Sequence, residues 1–257
     1  MTTLNDADIA NEISRRRLIL NADTKSLSGA CYELRMGNVY YDLTEGGRRF
    51  ALVADETALL KPGHRVVLIT AEEFDVPIDV LVRIVSKGSL FSIGLSPVAT
   101  YADPGFKGNL GIVTENISDK YIELPQGEPI AKADFTRLSG PAAKPYHGQH
   151  GFQAGIWPIK TQLQKSHAEL SHDPRVQSER SEALALLPAA TRTIIKKIER
   201  SQAWINGALA LAMIVNAGAL FAMGRGWIDA FHAILTNLVS SAIVGLLTFF
   251  VTYFRKP

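Results

Sequence analysis

"YADPGFKGNLGIVTEN", Tyr101 to Asn116, joins an Asp-Pro-Gly turn to a run of glycine, branched and polar residues. Pro and Gly set a tight turn, and the run that follows is short and rich in residues that suit a pleated strand. The same pattern continues on both sides. "RVVLIT", "VLVRIVS" and "YIELPQGEPIAKADF" are further β-like runs, with "KPGH" and "LPQG" between them. Short strands at this spacing, from Ala30 to about Ile159, predict an all-β barrel or sandwich. Ahead of them, "NDADIANEISRRRL" offers a cap at Asn5 or Asp6 and places Ile9 and Ile13 one turn apart. That spacing predicts a short N-terminal helix.

The chain has 257 residues, enough for one full domain and something smaller. A formal net charge of +2 argues against a broad nucleic-acid footprint, while leaving room for a local anion pocket. Cys31 is the only cysteine, so no intrachain disulfide and no cysteine metal site are expected. The opening "MTTLNDADIANEISRRR" has no apolar core and does not read as a secretory signal.

Apolar residues gather at the far end. "SQAWINGALALAMIVNAGALFAM" (Ser201–Met223) and "AILTNLVSSAIVGLLTFFVTYF" (Ala233–Phe254) carry no charge, and "GRGWIDAFH" lies between them. Each exceeds the roughly 20 residues that cross a bilayer core. The expected organisation is a β domain over 1–159, a linker and juxtamembrane helix broken or kinked at Pro188 over 160–200, and a transmembrane hairpin over 201–257. "TRTIIKKIER" before the hairpin, with Arg255 and Lys256 after it, outweighs Arg225 in the turn. The positive-inside rule then places both chain ends in the cytoplasm. Asn216 on the first helix and Asn237, Ser241 and Thr248 on the second are candidates for helix packing or a wet path.

Across residues 4 to 159 the order of elements resembles the dCTP deaminase and trimeric dUTPase family. "DADIANEI", "CYELRMGN", "LKPG", "SKGSLFSIGL", "DPGFKG", "LPQGEPIAKADF", "GPAAKPY" and "YHGQHG" occur in the family's sequence. The resemblance implies a mainly β, dUTPase-like barrel or jelly roll, a homotrimer, and a nucleotide pocket shared between subunits. It implies phosphate contacts at Lys87, Gly88, Ser89 and Ser92, and nucleoside contacts at Tyr101, Asp103 and Phe106. A closing tail would carry Gln149 and Phe152, with His147 and His150 beside them. Lys87 stands where the family has an arginine fork, Ser92 where it has a second arginine, and Glu33 where it has an aspartate.

The deaminases use a glutamate to move protons. A gapless count from Asp103 places that position on Val113, which carries no proton. The expectation is therefore a non-enzymatic member, with residual dUTPase-like activity at Asp103 or Glu115 left open. Asp103 serves either a turn or catalysis. No cofactor and no metal are expected. Joined to the hairpin, the domain resembles bacterial antiphage effectors: a sensor that disrupts or opens the inner membrane on binding a nucleotide, cyclic nucleotide or short DNA oligomer from a nucleotidyltransferase encoded nearby. The alternative is a membrane-anchored dUTPase or dCTP deaminase that depletes phage nucleotides.

Overall fold

The computed structural model describes residues 2–15, 18–148 and 155–253, with the side chains at 247 and 250–253 left out. The expectations placed on Gln149, His150, Phe152, Arg255 and Lys256 fall outside the described residues. The chain forms two compact units, Met1–Thr161 and Gln162–Pro257.

The first unit opens with β1 (Thr2–Thr3) and helix α1 (Asp6–Ser14). Asn5 caps α1 by accepting the Asp8 N–H, and Ile9 is fully buried beneath it. The strands then follow: β2 (Leu18–Ile19), β3 (Leu27–Ser28), β4 (Cys31–Asp42), β5 (Arg48–Ala51), β6 (Thr57–Leu60) and β7 (Arg65–Asp75). After β8 (Val80–Ser86) comes the short helix α2 (Gly88–Ser92), then β9 (Ala99–Ala102), β10 (Lys107–Glu115), β11 (Ile122–Pro125) and β12 (Pro129–Arg137). The pairs are antiparallel, and the main sheet runs β10-β7-β4-β12-β8-β9. The unit is mainly β, as the spacing of short runs predicts.

β4 turns the corner of this sheet. Its first half pairs with β12 and its second half with β7 and β5, with the register broken between Met36 and Tyr40. Gly37 sits at the break, where an added Cβ would lie 2.8 Å from the Ile69 carbonyl oxygen. A side chain would hold the strands apart. Tyr32, Leu34 and Met36 alternate into the main core, whereas Val39 and Tyr41 join Val67 and Ile69 in a second cluster covered by Trp157 and Ile159.

β7 carries a compensating irregularity. Thr70, Ala71 and Glu72 stand opposite Leu110 alone on β10. Such a bulge leaves backbone groups unpaired, and neighbouring side chains take them up. The Asn109 amide donates to the Thr70 and Glu72 carbonyls, both at 3.0 Å, and the Thr70 hydroxyl accepts the Leu110 N–H at 3.0 Å. The bulge turns Glu72 inward, where it is fully buried. Its carboxylate accepts from Arg35 Nε at 2.7 Å and from the Arg35 backbone N–H at 2.8 Å. Burial raises the neighbouring Tyr32 phenol above its usual pKa, so it stays a neutral donor toward Glu72.

The second unit is helical. α3 (Glu179–Leu186) ends before Pro188, and α4 (Ala189–Gly224) begins after it and runs unbroken for 36 residues. Proline ends the first helix and starts the second, since it lacks an N–H but suits a helix start. α4 is long and apolar enough to cross a bilayer. α5 (Ala230–Tyr253) packs along it. Inside the pair, the Ser240 hydroxyl donates to Asn216 Oδ1 at 2.7 Å. Asn237, Ser241 and Thr248 instead lie on exposed positions of α5, and the Thr248 hydroxyl bonds back to the Val244 carbonyl. They do not face α4, because the α5 face that meets it carries Ala233 and Ser240.

Replacing Glu72 by alanine leaves Arg35 without its main partner and empties the bulge. We expect a loss of about 3 kcal/mol, read from denaturant unfolding of the detergent-purified chain by β-sheet circular dichroism. Asn109→Ala should cost about 1–3 kcal/mol in the same assay.

Candidate functional site

A cleft of about 510 Å³ opens between β9, β10 and the turn that joins them. Asp-Pro-Gly shapes that turn through its main chain: the Asp103 carbonyl accepts the Phe106 N–H at 2.9 Å, and the Gly105 N–H donates to the Val76 carbonyl at 3.0 Å. The turn therefore does not consume the Asp103 carboxylate. That group is exposed, lines the cleft, and has no hydrogen-bond or ion-pair partner among the described residues. Phe106 is buried beneath the turn and meets the Tyr146 ring edge-on at 5.7 Å. Tyr101 lines the opposite wall, more than half exposed.

Val113 also lines this cleft, and at 44% exposed it is unusually open for a strand valine. The position at which the family resemblance implies a glutamate thus does face the cavity. Glu115, two residues further along the same strand, does not line it. Its backbone N–H and carbonyl bond to the hydroxyl and N–H of Ser96, which fixes the strand there.

The expected phosphate contacts lie elsewhere. The Lys87 ammonium is 2.7 Å from a Glu33 carboxylate oxygen, with both side chains mostly buried, and Lys132 approaches the other Glu33 oxygen at 3.7 Å. Lys87 is neutralised by a carboxylate that the sequence had already marked as a departure. Gly88, Ser89 and Ser92 sit exposed on α2, where the Ser92 hydroxyl bonds back to the Ser89 carbonyl at 2.6 Å. Within one chain the structure brings together Tyr101, Asp103 and Phe106, and sets Lys87, Gly88, Ser89 and Ser92 apart from them. The cleft has one lining carboxylate and no lining lysine or arginine among the described residues, so it repels rather than holds a free phosphate.

Sequence reasoning missed Trp157. Its ring lies against the β10 backbone at Gly111, where an added Cβ would be 2.5 Å from the indole. Its backbone N–H donates to the Tyr41 hydroxyl at 3.3 Å, and Trp157 with Pro158 closes one end of the cleft. The signal was present: Trp157 is the one tryptophan ahead of the C-terminal hairpin segment 201–257, and Gly111 interrupts a strand.

Away from the cleft, Asp42, Glu45 and His64 bring metal-ligand atoms within 4.8 Å of one another. Their ligand atoms already have partners. His64 Nδ1 is 2.7 Å from Asp42, and a hydrogen bond from Lys61 holds the Glu45 carboxyl below its usual pKa.

A family model described as dCTP deaminase-like matches residues 3–138. A protein of Pyrococcus furiosus named dCTP deaminase is 30% identical over 139 residues, covering 54% of this chain and 87% of its own length. One from Dictyoglomus turgidum named dCTP deaminase, dUMP-forming, is 27% identical over 168 residues, covering 58% and 87%. A crystal structure of 2'-deoxycytidine 5'-triphosphate deaminase from Agrobacterium tumefaciens superposes with a TM-score of 0.46 at 16% identity, over 52% of this chain and 47% of that one.

These relatives overturn the expectation of a non-enzymatic chain, since they carry the name of an enzyme across nearly their whole length. That expectation rested on the missing carboxylate at Val113; Asp103, kept as a residual candidate, presents a carboxylate in the same cleft.

Gly111→Ala should push the Trp157 ring from β10 at a cost of about 1–3 kcal/mol. With Trp204 and Trp227 replaced by phenylalanine, we expect red-shifted, more easily quenched emission from Trp157. Gly88→Ala, with open space around it, should leave the emission unchanged.

Proposed function

Because the chain belongs to the dCTP deaminase-like family, we propose that its β unit acts on a deoxypyrimidine nucleotide and that α4 and α5 attach it to a membrane. The observation that carries this reading is the unpartnered Asp103 carboxylate, set in a cleft between Tyr101 and Phe106. A carboxylate so placed can take a proton from water, and the hydroxide formed can attack a phosphoanhydride whose leaving phosphate departs with the bonding pair. Tyr101 supplies an aromatic wall and Val113 an apolar floor for a nucleoside, whose ring has π faces and few charges. The phosphates need donors from outside the cleft. In the homotrimer that the resemblance implies, α2 of a neighbouring copy would present Ser89 and Ser92 there.

A second reading is favoured by the Asn216–Ser240 hydrogen bond between α4 and α5. Here the nucleotide is a signal, and its binding shifts an inner-membrane assembly between two states in an antiphage response. That ligand would be a mononucleotide, a cyclic nucleotide or a short DNA oligomer made by a partner nucleotidyltransferase.

Both readings meet in one assay. Detergent-purified protein is incubated with dCTP, dUTP and dTTP, and products are separated by chromatography. The first reading expects turnover that falls roughly 100-fold or more in Asp103→Asn while nucleotide is still retained. No turnover by the wild type, with nucleotide-dependent leakage of liposomes, would replace it with the second.

A further inference from the structure

The second unit holds a cationic cleft of about 430 Å³ where α3 folds back beside the start of α4. Arg180, Arg192 and Lys196 line it together with Ser178, Ser181 and Gln177. Their charges are unequally matched. Arg180 is held by Glu199 through two hydrogen bonds. Arg192 spends its Nη2 on the Ala185 and Leu187 carbonyls at 3.0 and 3.2 Å, while its Nε is buried without any hydrogen-bond partner. Lys196, one turn further along α4, has no carboxylate within ion-pair distance among the described residues. Glu182 is turned away, accepting the Gln177 N–H at 2.9 Å.

A buried donor without an acceptor is costly, and it points to a ligand that accepts. The site's place on α4 says which. Lys196 precedes Ser201, where the apolar run begins, by a little more than one helical turn, about 7–8 Å along the axis. The headgroup layer on each side of the hydrocarbon core is about 5–8 Å deep. Lys196 therefore reaches the depth of lipid phosphates, and the Arg192 guanidinium opens one turn above it. Long basic side chains at a helix end commonly settle at this level.

We propose that Arg192 and Lys196 form a binding site for the phosphate of an anionic membrane lipid, with Ser181, whose hydroxyl oxygen accepts from Ser178 at 2.9 Å, as a hydroxyl donor. The proposal rests on the reading of α4 as a membrane helix. Arg192, already tied to the end of α3, would clamp the phosphate against the α3–α4 turn, so that an anionic lipid fixes the juxtamembrane hairpin to the leaflet surface.

The test uses the full chain, reconstituted into vesicles of mixed phosphatidylglycerol and phosphatidylcholine and released into native mass spectrometry to count retained lipids. Phosphatidylglycerol should be retained over phosphatidylcholine, and Lys196→Gln should cut that retention about fivefold, the effect of one surface charge near a membrane. Adding Arg192→Gln should cut it further, and Arg192→Lys should preserve it in part. Lys196 has no side-chain hydrogen bond among the described residues, so Lys196→Gln leaves folding intact. Equal retention by wild type and Lys196→Gln, or of the two lipids, would overturn the proposal. Displacement of the lipid by excess inorganic phosphate would overturn the lipid assignment in favour of a free anion. Extraction of the wild type from phosphatidylcholine vesicles at alkaline pH would remove the membrane reading itself, an outcome distinct from loss of headgroup preference.

Discussion

A single buried carboxylate, Glu72, sets the geometry of the β unit. An anion without solvent is tolerated only when its lone pairs are occupied, and Arg35 occupies both oxygens through its side chain and backbone. To deliver Glu72 to that place β7 must bulge, and the bulge fixes where β10 stands against it. Side chains on a strand alternate with period two, so the register beyond the bulge decides which residues of β10 look outward. Val113 faces the cleft and Thr114 the core because of it. The shape of the cleft on one edge of the sheet thus depends on an ion pair in its interior.

Much of the fold was legible because its signals are local. Turn residues between short runs gave a mainly β unit, Asn5 capped the first helix, and Pro188 divided the second unit's helices where its missing N–H requires. The ordered motifs gave the family. What stayed hidden were the pairings between distant residues. Nothing in "CYELRMGN" says that Glu33 will meet Lys87, although the departures at both positions were each visible. A chemical mismatch read twice was one compensated pair. Likewise Asn216 stood out as an amide in an apolar run, but its partner is Ser240, whereas Asn237, Ser241 and Thr248 point elsewhere around α5. Helical phase between two chains of side chains is set by packing, and sequence alone does not give it.

The site was partly readable for the same reason. Tyr101, Asp103 and Phe106 are close in sequence and are held together by one turn, so the motif carried them as a group. Trp157 arrives from beyond the last strand and is placed by Gly111, Tyr41 and the outer cluster around Val67. Trp157 and Pro158 are an integral wall of the cleft, so its shape is joined to the placement of the segment that leads out of the β unit.

α4 has a mechanical meaning that its composition does not convey. A helix of 36 residues is about 54 Å long, beyond the roughly 45 Å of a whole bilayer, and its interior contains no proline to bend it. Such a rod resists twisting, so turning the basic end about the axis turns Asn216 by nearly the same angle. With the only proline break at its outer end, α4 has the makings of a drive shaft whose bearing is the α3 elbow.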